Sequence, residues 1–250
     1  MSLPEVVSRE EWLVARKALL AREKEFTRQK DALNADRRRL PMVAVEKDYA
    51  FEGPEGVLSL ADLFAGRRQL VIQHFMFDPS WEEGCSSCTA GCDEISDGMR
   101  THLQSRETNF VVVARAPFAK IARYKSQRGW TFPFVSSFGG DFNYDFHVTI
   151  DESRAPMELN YRTREELRAP EAAKLHWIFD QEQPLEVPGF SFFLRDGEAI
   201  FHTNSTFARG TEACCDSYGF LDQTALGRQE DWEEPKGRAD DPHDASPDFS

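Results

Sequence analysis

Two cysteines three residues apart, Cys85 and Cys88, are the side chains in this sequence best placed to do chemistry. They closely follow an apolar run from Leu70 to Phe77 and open a segment that reads as a helix. A Cys-x-x-Cys at a strand-to-helix junction sets its first thiol beside unpaired backbone N–H groups and the positive end of the helix dipole. Both stabilise a thiolate. The second thiol lies one turn further on, within reach of a mixed disulfide formed at the first. On this reading Cys85 attacks and Cys88 resolves, with the hydroxyls of Ser86 and Ser87 as further donors. Cys92 shares a helical face with Cys88 and competes with it. Glu82 and Glu83 oppose the dipole through like-charge repulsion with a thiolate, so the spacing predicts a Cys85 pKa close to the ~8.5 of a free thiol.

Other groupings of reactive residues carry less. Cys214 and Cys215 are adjacent, a spacing at which disulfide geometry is hard to reach. They are expected as two reduced thiols, or one of them as a partner for the first cluster. Three thiols with a histidine could hold zinc, but no second Cys-x-x-Cys and no His-x-x-x-His completes a ligand set. His74 and His102 are expected as core or surface residues, and no metal is expected. The alternating oxygens of Asp141-Phe142-Asn143-Tyr144-Asp145 lack the glycine and distal glutamate of a calcium loop, and predict a turn with aromatic anchors. No phosphate-cradling glycine loop or dinucleotide fingerprint is present, so no organic cofactor is expected. Arg115 and Arg209 are the basic residues to watch near the cysteines, each with a surface role as the default.

The elements that must position the cysteines follow from the patterning. Ser8 and Glu11 form a capping box, and no Gly or Pro interrupts the chain from there to Pro41. Trp12, Leu19, Phe26, Leu33 and Leu40 recur every seven residues. They predict one long helix with a narrow apolar stripe, buried against the body of the protein or a second copy. Tyr49-Ala50-Phe51 and Val57-Leu58 flank a turn at Gly53-Pro54-Glu55-Gly56, a hairpin signal. Leu60 to Phe64 reads as a helical turn closed by Gly66. Leu70–Phe77 has the nearly continuous apolarity of a strand covered on both faces. One helix is then expected to reach Gln104, followed by a strand at 110–114, a helix from Pro117 to about Arg128 and a strand at 131–136. The stretches 190–194 and 199–202 alternate around Asp196-Gly197, a strong hairpin signal. This is an α/β layered arrangement: an N-terminal helical arm over 1–41, a core domain over 42–227 with an insertion at about 151–187, and a tail over 228–250.

The net charge of −13 argues against nucleic acid or an anionic membrane as partner, and no apolar run approaches the ~20 residues of a bilayer span. The N-terminus does not read as a secretion signal, so a cytoplasmic location is expected. Residues 8–39 carry ten Lys/Arg against six Asp/Glu, whereas 228–250 carry three against eight. The acidic, proline-containing tail is expected to be disordered or loosely docked.

The order of these elements resembles the thioredoxin-like superfamily, and its peroxiredoxin-related branch in particular. The likeness rests on the stretch 51–77, on Gly129 to Ser136 with Tyr144 to Val148, and on Pro188-Gly189-Phe190-Ser191-Phe192-Phe193-Leu194-Arg195-Asp196-Gly197. The whole chain resembles the DUF899 family of bacterial thioredoxin-like proteins. Glu5-Val6-Val7-Ser8-Arg9-Glu10-Glu11-Trp12, Ser136-Ser137-Phe138-Gly139 with Asp141 to Phe146, and Ala208-Arg209-Gly210 carry that likeness. It implies a thioredoxin-like sheet flanked by helices, Cys85 in the attacking position, Cys88 in the resolving position, and Pro188 as the cis-proline beside the active site. Where peroxiredoxins carry Pro and Thr ahead of the peroxidatic cysteine, this chain has Asp78 and Glu82, and a carboxylate cannot offer a peroxide the threonine's hydroxyl. The reading is therefore a thiol–disulfide oxidoreductase acting on a protein or small-molecule thiol or disulfide. A thiol peroxidase at Cys85 is one alternative. A non-catalytic assembly module, homodimeric through the N-terminal helix, is the other.

Overall fold

The computed structural model describes residues 3–215, 221–224, 230–234, 236–237 and 240–242. They fall into two units, one of residues 1–42 with 220–247 and one of residues 43–219 with 248–250. Of the expected acidic tail, residues 228, 229, 235, 238, 239 and 243–250 lie outside the described residues. Glu230 is buried and accepts a hydrogen bond from the Trp232 indole.

In the first unit, α1 (Arg9–Arg37) starts at the predicted capping box: the Glu11 N–H donates to Ser8 Oγ at 3.2 Å and the Ser8 N–H to Glu11 Oε2 at 2.9 Å. Within this one chain, the stripe expected to be buried against the body of the protein or a second copy is exposed. No residue of α1 is buried, and Trp12, Leu19, Phe26 and Leu33 are 43–65% exposed. Ion pairs such as Arg16–Glu23 and Arg28–Glu25 keep much of the helix surface polar.

The second unit carries the sheet. In chain order it contains β1 (Val43–Ala44), the hairpin β2 (Ala50–Gly53) and β3 (Gly56–Ser59), α2 (Leu60–Leu63), β4 (Gln69–His74), α3 (Ser86–Asp93), α4 (Asp97–Gln104) and β5 (Thr108–Ala114). There follow α5 (Phe118–Arg128), β6 (Phe134–Ser136), α6 (Phe142–Asp145), β7 (Thr149–Ile150), β8 (Glu158–Leu159), β9 (Arg162–Thr163), α7 (Arg164–Leu167) and β10 (Leu185–Glu186). The long hairpin of β11 (Gly189–Asp196) and β12 (Ala199–Phe207) leads into a 3₁₀ segment, Ala208–Cys214. The main sheet runs β1-β12-β11-β4-β5-β6-β2-β3, with β4, β5 and β6 parallel and β11 antiparallel to β4. A parallel β–α–β unit extended by an antiparallel hairpin, with helices on its faces, is the thioredoxin-like arrangement that the resemblance implied.

Two buried layers sandwich the sheet. Phe75, Phe77, Phe110, Phe132, Phe134 and Phe190 build one together with Cys88 and Cys92. The other contains Phe51, Phe64, Leu70, Ile72, Phe142, Phe146 and Phe193. Each fully buried phenylalanine contributes ~1.5–3 kcal/mol, so the abundance of Phe is spent on the two faces of one sheet. The insertion, which gives little away in sequence, folds over a third cluster that includes Ile150, Met157, Leu159, Leu167, Ile178 and Val187.

The helix expected to run unbroken to Gln104 is two helices. Ser96 interrupts it, because its side chain accepts from the Met99 N–H at 3.0 Å and caps a new helix, the role for which serine is favoured. Among the described residues no helix is long and apolar enough to cross a membrane.

Candidate active site

The approach to Cys85 is a tethered loop. After β4 the chain runs through Phe75–Phe77, and the Cys85 N–H donates back to the Met76 carbonyl at 3.0 Å. Asp78 accepts from the Ser80 N–H at 2.8 Å and is ion-paired with Arg115 at the end of β5. Lys120 on α5 donates to the carbonyls of Pro79 and Trp81. A loop that would otherwise be mobile is thus pinned from two neighbouring elements, which fixes where α3 begins.

Cys85 is the N-cap residue of α3. Its carbonyl accepts from the Thr89 N–H and the Thr89 hydroxyl, both at 2.9 Å, and the Tyr124 hydroxyl lies 2.8 Å from that of Thr89. The sulfur is half-buried near the Cys88 thiol, the first N–H groups of the helix and the Ser87 hydroxyl, and it makes no capping hydrogen bond in this structure. With the Cys88 thiol as the largest contributor, these pull the Cys85 pKa down to about 6. Cys88 beside it keeps its own proton, and burial adds to the effect, so the Cys88 pKa is raised. One thiol ionises readily while its neighbour stays protonated, the division of labour that attack and resolution require.

The expectation of an ordinary Cys85 pKa is corrected here. Glu82 and Glu83 are both exposed, and Glu82 pairs loosely with Arg123 at 3.5 Å. Two or three residues of separation along the chain do not bring a carboxylate to the thiolate when the loop turns it into solvent. High-dielectric screening removes most of the repulsion that remains.

Gly84 lets the loop close on the core. A Cβ at that position would lie 2.3 Å from Cε1 of the buried Phe75. Gly84→Ala should therefore displace Phe75 and cost about 1–3 kcal/mol of stability, the usual range for overpacking, measured by urea unfolding. An unchanged midpoint would show that the loop has room to give.

Cys92 is completely buried one turn beyond Cys88. Burial, more than the nearby Asp93 and Cys215, raises its pKa. No disulfide joins any of the five cysteines.

Pro188 requires a correction. The only cis peptide bond among the described residues joins Gln183 to Pro184, and the Val187–Pro188 bond is trans. The chain reaches β11 already aligned, since β10 pairs with β7 and the Val187 N–H donates to the Val148 carbonyl at 2.9 Å. Pro188 is exposed at the mouth of that strand.

Arg115 was expected at the surface, yet it is 9% exposed. Its Nε donates to Glu186 Oε1 at 2.5 Å, and another guanidinium nitrogen pairs with Asp78. Glu186 also accepts from the Thr149 hydroxyl at 3.0 Å and from Asn143 Nδ2 at 3.4 Å. Burial outweighs the pull of Arg115 and raises the Glu186 pKa. Arg209 instead forms an ion pair with Glu212 at 2.8 Å within the 3₁₀ segment.

His74 is buried beneath the sheet, with Nε2 2.7 Å from Ser191 Oγ, and burial lowers its pKa to about 3. His102 is exposed. Asp141 and Asp145 are both ion-paired with Lys47, around a helical turn anchored by buried Phe142. Among the described residues no group of three or more His, Cys, Asp or Glu side chains is arranged to hold a metal ion.

Comparison with known proteins gives the family. The chain belongs to the family described as bacterial protein of unknown function, DUF899, whose profile matches residues 1–244. No curated protein matches it. Among solved structures, it is similar to peroxidoxin BcpB from Mycobacterium tuberculosis at 13% identity, over 70% of this chain and 92% of that one, with a TM-score of 0.44. PrxQ from Xylella fastidiosa matches at 12% identity over 69% and 88% of the two chains, with a TM-score of 0.40. A putative protein disulfide isomerase from Bacteroides thetaiotaomicron matches at 18% identity and a TM-score of 0.31. That match covers 42% of this chain, which spans 65% of the isomerase's length.

Proposed function

We propose that this DUF899 protein is a thiol–disulfide oxidoreductase in which Cys85 attacks a substrate disulfide and Cys88 resolves the product. The observation that carries the reading is the half-buried Cys85 thiol at the N-cap of α3, one turn from the buried Cys88 thiol. In the first step the Cys85 thiolate forms a bond to one substrate sulfur, and the other leaves as a thiolate that takes up a proton. In the second, Cys88 loses its proton and attacks Cys85 Sγ. The bound substrate sulfur departs as the second thiol, and a Cys85–Cys88 disulfide remains. The substrate disulfide is reduced by two electrons and the protein dithiol is oxidised by two.

Several features support this order. Cys85 is the reachable thiol of the pair, whereas Cys88 is buried. Once Cys85 is bonded to substrate it no longer holds the Cys88 proton, which removes the largest contribution to the raised Cys88 pKa. The resolving thiol thus becomes more reactive when it is needed.

The test is trapping with oxidised glutathione. Cys88→Ser should accumulate a glutathione adduct at Cys85 that intact-mass measurement detects, wild-type protein should pass on to the internal disulfide, and Cys85→Ser should yield neither. Adduct formation at another cysteine, with Cys85→Ser fully active, would reject the assignment. Peroxide-dependent sulfenate at Cys85, faster than exchange with glutathione, would favour the peroxidase instead.

A further inference from the structure

Across the sheet from Cys85, a chain of buried polar groups leads to a cleft that the proposed exchange does not use. His74 Nε2 lies 2.7 Å from Ser191 Oγ, Ser191 Oγ 2.8 Å from Ser205 Oγ, and Ser205 Oγ 2.8 Å from His202 Nε2. Ser191 is directly opposite Ile72, and Ser205 directly opposite Ser191. Residues opposite one another in antiparallel strands share a face, so this row lies in the layer of Ile72 and Phe146, not in that of Cys88. His202 and Ser205 form part of the wall of a cleft of about 420 Å³, a size usual for small-molecule sites. Tyr49, Phe146, Tyr161 and Phe207 supply aromatic walls. Among the described residues six that are not glycine have a left-handed φ. Four of these, His147, Asn160, Tyr161 and Ala208, line the cleft or adjoin a residue that does. Asn160 and Tyr161 are the two-residue turn between β8 and β9, whose second position favours glycine. Tyr161 occupies it at φ 62°, with its hydroxyl donating to the Ser205 carbonyl at 2.9 Å and its ring edge-on to Phe207 at 5.5 Å. A large side chain held at a glycine position against two residues of the cleft is strain of the kind that accompanies a binding site.

We propose that this cleft is a second ligand site, which takes a small organic cation: an ammonium group carried on an aromatic or other apolar body. Charge selects the cation. Glu46, Asp145 and Glu158 line the cleft against a single lysine, Lys47. That lysine is already neutralised, because its Nζ pairs with Asp141 at 2.8 Å and Asp145 at 2.7 Å. Among the described residues Glu46 has no ion-pair partner, and Glu158 has only the His147 ring, at 3.7 Å. An anion would therefore meet two uncompensated carboxylates. Aromatic walls attract a cation through their negative faces and pack an apolar body equally well. His202 adds a directional contact. The Asn204 carbonyl, 3.0 Å from its Nε2, can only accept, so Nε2 carries the ring proton and Nδ1 is an acceptor. Burial lowers the His202 pKa, which keeps the ring neutral at pH 7. An ammonium N–H can donate to such a nitrogen, and an ionised carboxylate or sulfonate cannot.

Ligand-observed NMR titration of the full chain at neutral pH tests the site, with phenethylamine and tryptamine as cationic probes and 3-phenylpropionate as an anion of matching body. Both amines should bind saturably, and the anion should not. Combining Glu46→Gln with Glu158→Gln removes the uncompensated charge at positions outside the core, and should weaken amine binding by about tenfold. Tyr161→Gly relieves the left-handed turn and removes one wall. It should weaken binding to a similar degree without lowering the urea unfolding midpoint, an outcome that separates loss of the site from loss of the fold. Cys85→Ser should bind both amines as the wild type does, because the thiol lies across the sheet. Binding of 3-phenylpropionate as tight as that of the amines would overturn the assignment. So would the absence of saturable binding by either amine, or affinities that neither the double variant nor Tyr161→Gly changes.

Discussion

Arg115→Met should destabilise the protein by about 3–5 kcal/mol at neutral pH, the usual consequence of removing one partner from a buried ion pair. Glu186 is almost wholly buried and Asp78 nearly so, with side-chain exposures of 1% and 15%. Without the guanidinium, both carboxylates must either stay charged in a poorly hydrated site or take up protons. Glu186 is already biased toward protonation by burial, so it should neutralise first in the variant. The folded variant then binds more protons than its unfolded chain between the ordinary carboxylate range and the raised folded pKa. The deficit should accordingly shrink as pH falls. A second consequence falls on the thiol. Asp78 anchors the loop that delivers Cys85 to the start of α3, so losing Arg115 should raise the Cys85 pKa without touching any donor to its sulfur. Urea unfolding at pH 5 and pH 8, with the pH profile of Cys85 alkylation, checks both. Loss of stability at both pH values alike, with an unchanged alkylation profile, would mean that Arg115 serves packing alone.

The local signals were legible because each has a local cause. The capping box at Ser8, the apolar run of β4 and the Asp196-Gly197 turn depend on residues within a few positions of one another. The strand-to-helix placement of Cys85 follows from the same kind of evidence. The burial of Arg115 is not legible in sequence because its partners lie 37 and 71 residues away, and nothing in the intervening chain encodes that meeting. Glu82 and Glu83 act less on Cys85 than their spacing predicts for the converse reason, since neighbours in sequence need not be neighbours in space. The break before α4 has a local signal in Ser96-Asp97-Gly98, a capping serine followed by an acidic residue and a poor helix former. The α1 stripe is periodic without being buried, because period reports which residues share a face and not whether that face finds a partner.

The alkylation rate of Cys85 should rise with a midpoint near pH 6 and be flat above about pH 7, where an ordinary thiol is still climbing. The absolute rate is a poorer signature. At pH 7 a pKa of about 6 gives roughly ninetyfold more thiolate than one of 9, but nucleophilicity falls with basicity at a Brønsted slope of ~0.4–0.5, or ~15- to 30-fold over three units. The net gain over an ordinary thiol is only about three- to sixfold, so the midpoint decides. The energetic consequence is larger. For an acid whose folded pKa is lowered, the stability it contributes is present above the unfolded pKa and lost as pH falls through the folded one. For the reduced protein that window runs from about 9 down to about 6. Cys88, kept protonated by its bond to Cys85, contributes nothing opposing below it. At pH 7 the thiolate outweighs the thiol about tenfold, which stabilises the reduced form by about 1.4 kcal/mol and raises the reduction potential of the pair by about 30 mV. A disulfide poised in this direction passes its oxidation on more readily than it holds it. Ser87→Ala removes the hydroxyl donor and should move the alkylation midpoint upward and the potential downward together. A wild-type profile that keeps rising through pH 8 to 9, or a Ser87→Ala potential that moves while the midpoint stays, would break the link between the donors at the start of α3 and the redox behaviour of Cys85.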